Sequence, residues 1–470
     1  MSAPMTKGKS DHWGSKFGFI MAAVGSSVGL GNLWRFPFTA GENGGSAFIL
    51  IYLACVLLLG LPVLIAEYAI GRRGQRSAIA GIRYIVDEEK KSRAWVGIGW
   101  IGAIASLTIF SFYIVIAAWV FDFIPQAFSG KFNGYSAEDS GQNFVNTITN
   151  TREILLYTGG FLLLNVIIVA RGVKGGIERA AEILMPAFFI MLLGMVVFGF
   201  FAGDAARTAE FLFNPDFSKV NFKTLLAAVG QAFFSLSVGS ALMITYGAYL
   251  TRDTNIPRAS FLVAGADTFV ALIAGFAIFP IVFGFGLDPA GGGGLFFVTM
   301  PVAFGQLPSI VGGLFFTLAL FAAFTSSISL FEVGVSWLED QRGIGRIKGA
   351  VGLGLILFVI SSLYILEDGQ TEKFLGSVAL LDHADFLTGQ ILLPLGGVLT
   401  ALFAGWVLPR HVLGEEIGNG AHLSFVRLLV RYLVPIALSI ILVFGTLDVL
   451  QDNYGIAMPG FVEMLIGENG

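Results

Sequence analysis

The chain has 470 residues, 55% of them hydrophobic and 13% charged, with a mean hydropathy of +0.79 and a formal net charge of −4. Such a balance lies outside the range of soluble domains and puts much of the chain in lipid. No basic domain or tail stands apart, which excludes a nucleic-acid reader, and the lone Cys55 excludes an internal disulfide.

A membrane-spanning helix takes about 20 mostly apolar residues. In chain order, runs of this kind lie at 17–40, 46–70, 97–125, 154–171, 177–202, 224–249, 259–286, 309–338, 346–366, 374–408 and 424–447, predicting helices 1 to 11. The first run is longer than a signal-peptide core and lacks a convincing cleavage pattern, so it reads as a retained helix. The tail from Leu450 to Gly470 is too polar and broken for a twelfth. Lysine and arginine set the orientation. With a cytoplasmic N-terminus, 21 basic residues fall inside and six outside, with Arg35 within helix 1, so an odd helix count puts the C-terminus outside.

Ionisable side chains at membrane depth are costly and therefore mark function by default. They are Arg35 in helix 1, Glu67 in helix 2, Asp267 in helix 7 and Glu332 in helix 8, with Asp340 and Asp385 near helix ends. Helix 1 carries Gly25, Ser26, Ser27, Val28, Gly29, Leu30, Gly31 and Asn32 at mid-span. Unwinding there would free carbonyls for a cation and aim half-helix amides at an anion; packing of small residues against a neighbour is the plainer reading. Helix 6 repeats the pattern from Phe233 to Ala241. A second unit of five helices enters the membrane inverted, so breaks in helices 1 and 6 can meet near the midplane.

The segment 126–153 is polar. The segment 287–308, with Gly291 to Gly294 and then Leu295, Phe296, Phe297 and Val298, is too apolar for a solvated linker and is expected to fold back over the outer mouth. On helix 8, Ala322, Thr325 and Ser326 share one face. Their oxygens suit a hard cation such as sodium, although serine and threonine in membrane helices also bond back to their own i−4 carbonyls. The four histidines, His12, His383, His411 and His422, lack metal-ligand spacing.

At Gly29 to Asn32, Trp34, Arg35 and Pro37, at Glu42 to Gly45, Gln231 to Tyr249, Ala322 to Ser327 and Leu381 to Phe386, the chain closely resembles the neurotransmitter:sodium symporter family, especially bacterial amino-acid transporters of the leucine-transporter fold. The resemblance covers helices 1 to 10. It implies an all-α polytopic fold of two inverted five-helix repeats with broken helices 1 and 6, plus one further helix. The divisions are a cytoplasmic segment 1–16, repeats 17–202 and 203–408, and helix 11 with a short external tail, 409–470. It implies no enzyme and no organic cofactor, but sodium-coupled import of a neutral amino acid across the plasma (inner) membrane.

Carried over residue by residue, the resemblance implies a first sodium at the Ser27 carbonyl, Asn32, Ser235, Asp267 and the substrate carboxylate. A second would sit among the carbonyls of Gly25, Val28 and Ala322 and the hydroxyls of Thr325 and Ser326. The substrate carboxylate would meet the amides of Leu30 and Gly31 and the Tyr113 hydroxyl. Its ammonium would meet the carbonyls of Ser27, Phe234 and Ser235 and the Ser237 hydroxyl. Ser26, Ile109, Tyr113, Phe234, Ser240, Ser326 and Leu330 would form the side-chain pocket. Monoamine carriers that the chain resembles have aspartate where it has Gly29, so the carboxylate should come from the substrate, which fits an amino acid.

The implied outer gate pairs Arg35 with Asp385 above a lid of Tyr113 and Phe234. Asp340 matches the acidic half of an inner gate whose usual arginine is missing: Trp13 is present, but Ser10 stands in its place, with Lys7 and Lys9 as substitutes. Chloride-dependent members resemble the chain at Tyr52, Gln231 and Ser235, but have serine at Ala271 and asparagine at Asp267. The fixed charge of Asp267 therefore predicts chloride-independent transport, with Asp267 itself a candidate to protonate on the empty return step. A proton-coupled or exchange carrier of the same fold, using Asp267 or Glu332, is the nearest rival. A channel suits the gates less well, and an intramembrane enzyme would need a nucleophile or metal constellation that the chain lacks.

Overall fold

Apolar runs this long satisfy their backbone polar groups only as helices when lipid surrounds them. The computed structural model describes residues 12–290, 294–370, 373–374 and 378–456, and these are helical throughout apart from connecting turns. Among the described residues, nine continuous spans are long and apolar enough to cross a membrane. They are helices 2 (Ser46–Gly74), 3 (Arg93–Phe128), 4 (Thr151–Ala170), 5 (Val173–Ala202), 7 (Ile256–Gly284), 8 (Ser309–Arg342), 9 (Arg346–Asp368), 10 (Leu380–Val407) and 11 (Ala421–Gln451). Helix 1 is a tenth, a pair of segments, Lys16–Ser27 and Gly31–Glu42, bent by 50°. Helix 6 is split more widely, into Phe222–Ser235 and Leu242–Ala248, which agrees with an eleventh crossing.

Helices 3 and 8 pack along one another at the centre and are mostly buried. Helices 4, 5, 9 and 11 form the periphery. Their outer faces carry exposed Ile190, Phe201, Leu355 and Val359, a distribution that only a lipid solvent tolerates. The broken helices 1 and 6 lie inside this ring, against helices 3, 8 and 10.

The connections carry structure that hydropathy does not announce. A helix at Ala78–Glu88 lies between helices 2 and 3. Another, Ala137–Thr149, occupies the polar 126–153 segment and starts at a capping box of Ser136 and Asp139. In the 287–308 segment, Gly291 to Gly293 lie outside the described residues, and Leu295–Phe304 is helical. Phe297 is buried, stacked on Phe144 at 5.0 Å and edge-on to Trp34 at 5.7 Å, so the segment is packed down at the Arg35 end of helix 1. Among the described residues, helix 10 begins at Leu380 rather than 374, and Glu367 accepts the N–H groups of Phe374 at 2.7 Å and Leu380 at 2.5 Å.

Candidate functional site

The helix breaks follow from local backbone chemistry. In helix 1, Val28 is extended (φ −74°, ψ 101°), which interrupts the hydrogen-bond ladder and leaves neighbouring carbonyls unclaimed. In helix 6, Ser237, Gly239 and Ala241 all take left-handed φ values, of 53°, 85° and 58°. Left-handed backbone at residues with a side chain costs about 1–2 kcal/mol each, so tertiary contacts must hold it. They do. Glu67 accepts the Gly239 N–H at 2.7 Å, Ser106 donates to the Ser240 carbonyl at 2.6 Å, and a Cβ on Gly239 would meet the Leu393 carbonyl at 2.4 Å.

Between the breaks lies a cavity of about 50 Å³. Ser26, Ile109, Tyr113, Phe234, Ser240, Ser326 and Leu330 all line it, as do Ser27, Gly31, Ser235 and Ser237. Leu30 joins through its backbone, its N–H donating to the Tyr113 hydroxyl at 3.2 Å. Gly29, which the resemblance singles out for the substrate class, lines it too, and one further lining residue, Leu393, escaped sequence reasoning. Leu393 sits in an apolar stretch of helix 10 with nothing to distinguish it from a lipid-facing leucine. A Cβ at Gly29 would lie 2.7 Å from Ser326 Oγ and 3.1 Å from the Tyr113 hydroxyl. The Ser26 and Ser27 hydroxyls are buried there without a hydrogen-bond partner, an arrangement that favours a polar guest.

Two oxygen-rich clusters flank the cavity. In the first, Asn32 Nδ2 lies 2.9 Å from Asp267 Oδ1, 3.1 Å from the Asp267 carbonyl and 3.3 Å from Ser235 Oγ. Ser235 donates to Asp267 Oδ2 at 2.6 Å, and Asn32 Oδ1 accepts the Gly29 N–H at 3.1 Å. Asn32 and Asp267 are fully buried, so a carboxylate here demands cations or donors around it. In the second, Ser326 Oγ is 3.3 Å from both the Gly25 and the Val28 carbonyl oxygens. Thr325 instead bonds back along its own helix, to the carbonyls of Ala322 at 3.1 Å and Phe321 at 3.2 Å. The first cluster offers a hard cation side-chain oxygens and a fixed charge, the second carbonyls and hydroxyls without one.

On the Arg35 side a vestibule of about 490 Å³ leads down to Phe234, which lines both vestibule and cavity and so partitions them. The expected ion pair of Arg35 with Asp385 is not formed. The guanidinium lies over the Phe234 ring instead, 4.5 Å from its centroid, where cation–π attraction takes the place of the carboxylate. The opposite, N-terminal face is sealed. Trp13 is buried, its indole donating to the Tyr246 carbonyl at 3.2 Å, while Glu178 accepts from the Gly14 N–H at 2.6 Å and the Ser15 hydroxyl at 2.9 Å. Asp340 accepts the Ser77 backbone N–H, which satisfies it without an arginine; Lys7, Lys9 and Ser10 lie outside the described residues. Glu332 is engaged as well, by Arg346 and by the Tyr249 hydroxyl at 2.6 Å, an interhelical pair away from the cavity.

The sequence profile of the sodium:neurotransmitter symporter family matches residues 10–147 and 142–466. A protein of Bacillus subtilis (strain 168) described as an uncharacterised sodium-dependent transporter, YhdH, is 37% identical over 447 residues, covering 93% of this chain and 98% of that one. The sodium-dependent nutrient amino acid transporter 1 of Drosophila erecta is 24% identical over 520 residues, covering 94% of this chain and 79% of its own. Among solved structures, MhsT in complex with L-phenylalanine superposes with a TM-score of 0.84 at 38% identity, covering 92% of this chain and 98% of MhsT. With two broken helices around a buried polar cavity and a match along nearly its whole length, the chain belongs to the sodium:neurotransmitter symporter family, as a multi-pass, sodium-dependent transporter and not an enzyme.

Proposed function

We propose that the protein couples two sodium ions to the import of one neutral amino acid by alternating access. The observation that carries this reading is the enclosed cavity at the meeting of the two helix breaks, with an oxygen cluster on either side. Amino-acid backbone chemistry suits it: half-helix amides at Leu30 and Gly31 and the Tyr113 hydroxyl for the carboxylate, the carbonyls of Ser27, Phe234 and Ser235 with the Ser237 hydroxyl for the ammonium. MhsT, a relative at 38% identity, is seen with L-phenylalanine, and the Drosophila relative carries nutrient amino acids in its name. Both support an amino-acid cargo.

The first sodium takes the Ser27 carbonyl, the Asn32 side chain, Ser235 and Asp267 together with the substrate carboxylate, after the Asn32 amide turns its oxygen inward. The second takes Gly25, Val28, Ala322, Thr325 and Ser326, which ties helix 1 to helix 8. Because ions and substrate share ligands, each strengthens the binding of the other, and the sodium gradient drives accumulation. Chloride is not required, Asp267 supplying the negative charge. Residues 17–202 and 203–408 are the inverted repeats, and helices 1, 2, 6 and 7 rock against the rest. The N-terminus is cytoplasmic and the vestibule external, so the sealed face is the inner one and the form described is closed inside, with Phe234 as the outer lid. Asp385 then meets Arg35 when substrate draws the lid down.

Uptake of labelled neutral amino acids into proteoliposomes, under an inward sodium gradient, an inward proton gradient or none, tests this. Sodium-driven accumulation of one or a few confirms it and names the cargo; accumulation driven by protons alone refutes it.

A further inference from the structure

At the end of helix 2, Arg72 is almost completely buried, its side chain 3% exposed, and so is its partner Glu416 at 1%. Arg72 Nε lies 2.7 Å from Glu416 Oε2, and a terminal guanidinium nitrogen meets the Glu416 backbone carbonyl. The other terminal nitrogen donates to the Thr254 carbonyl at 2.5 Å. The second carboxylate oxygen, Oε1, is taken by Arg252 at 2.5 Å. Beside this triad, Arg73 reaches Glu415 at 2.5 Å and Glu88 at 3.1 Å. Glu415 and Glu416 belong to a short helix, Arg410–Ile417, between helices 10 and 11.

Desolvating Arg72 and Glu416 is costly, and apolar residues of similar volume often stabilise a fold as well or better. This buried pair, with Arg252 reaching it from the surface, is therefore best understood through what it registers rather than as a source of stability. Here it joins elements that the proposed rocking motion separates. Arg72 on helix 2 and Arg252 and Thr254 on the connection from helix 6 to helix 7 belong to the moving bundle. Glu416 lies outside that set, on the helix between helices 10 and 11, which packs against helices 2 and 7.

We infer that Glu416 is the catch of a clasp that holds the inner face shut, the part that a missing gate arginine leaves unfilled opposite Asp340. The inference rests on the alternating-access reading above. When the inner face opens, Arg72 keeps its bond to the Thr254 carbonyl and stays with the bundle, while Glu416 withdraws with its own helix into water. The clasp thus favours the closed inner face, and weakening it raises the inward-open population at the expense of the form that binds sodium.

The test reads that population directly. Cys55 is the single cysteine, so a Cys55→Ser, Ser329→Cys protein carries one thiol, at a position 1% exposed between helices 6 and 8 on the sealed side. Its labelling rate by a maleimide in sodium-free proteoliposomes is expected to rise roughly five- to tenfold with Arg252→Gln or Glu416→Gln, with a parallel rise in half-saturating sodium. The double variant should add little to either single. Arg252 is more than half exposed, so R252Q keeps the test valid if E416Q does not fold. Labelling and sodium dependence unchanged in folded R252Q would overturn the clasp. If sodium fails to slow labelling of the parent protein, the symport reading falls instead, and the sodium-free comparison of R252Q with its parent still decides the clasp.

Discussion

Asn32 and Asp267 meet twice, the Asn32 amide nitrogen lying 2.9 Å from the Asp267 carboxylate and 3.1 Å from the backbone carbonyl of the same residue. The contact joins the break in helix 1 to helix 7 through a fully buried carboxyl group. Asp267→Asn removes the charge while keeping the shape. A hydrogen bond to a charged group contributes about 1.5–3 kcal/mol, so sodium-driven uptake should fall roughly ten- to a hundredfold. The parent should transport equally in chloride and in gluconate at constant sodium; stimulation by chloride would assign the negative charge to the medium.

Ser326 hydrogen-bonds to the carbonyls of Gly25 and Val28, whereas the hydrogen bonds of Thr325 stay within its own helix. The serine is therefore the one that hydrogen-bonds helix 8 to helix 1. Ser326→Ala should raise half-saturating sodium about tenfold, the equivalent of about 1.4 kcal/mol, and Thr325→Ala somewhat less, measured by sodium titration of uptake. Equal and negligible effects would empty the second site.

Gly29 is closed to side chains, a Cβ lying 2.7 Å from Ser326 Oγ. Gly29→Ala should reduce amino-acid uptake by about tenfold or more, and Gly29→Asp should abolish it without conferring monoamine transport, since the carboxylate has no room to enter. Binding measured by scintillation proximity separates lost affinity from lost turnover.

Glu332 answers Arg346 and Tyr249 and stands apart from the cavity. Glu332→Gln leaves Arg346 without its buried counter-charge, a change that costs about 3–5 kcal/mol. The expected result is a markedly lower Tm in detergent with the sodium dependence of residual uptake intact. A normal Tm with uptake that has lost its pH response would make Glu332 a proton carrier.

How much of this was legible in sequence depends on the range over which each feature is encoded. The spans are local, and hydropathy located them to within a few residues at most ends, with the start of helix 10, described from Leu380, the widest miss. The breaks were legible because glycine and serine cluster at mid-span in two helices, where close packing against a neighbour is the competing reason. The cavity residues were reachable only through resemblance, since residues 26, 109, 234 and 326 meet by topology and not by spacing. Leu393 carried no signal at all. The pair of Arg72 with Glu416 spans 344 positions, and each residue alone reads as an ordinary loop charge, useful for orientation and silent about its partner. The resemblance implies the outer pair of Arg35 and Asp385, yet the guanidinium lies over Phe234, a contact that no spacing announces.

Ser326 faces the cavity and also the Gly25 and Val28 carbonyls, and Gly29 presses against it with no side chain between. On the proposed function, cargo and driving ion are read by the same few atoms. A change that enlarges the cavity at this wall should then disturb the oxygen cluster behind it, and a change that retunes the cluster should reshape the wall. Drift toward a new cargo has its freest ground at Ile109, Leu330 and Leu393, apolar side chains that line the cavity without a hydrogen bond to either oxygen cluster.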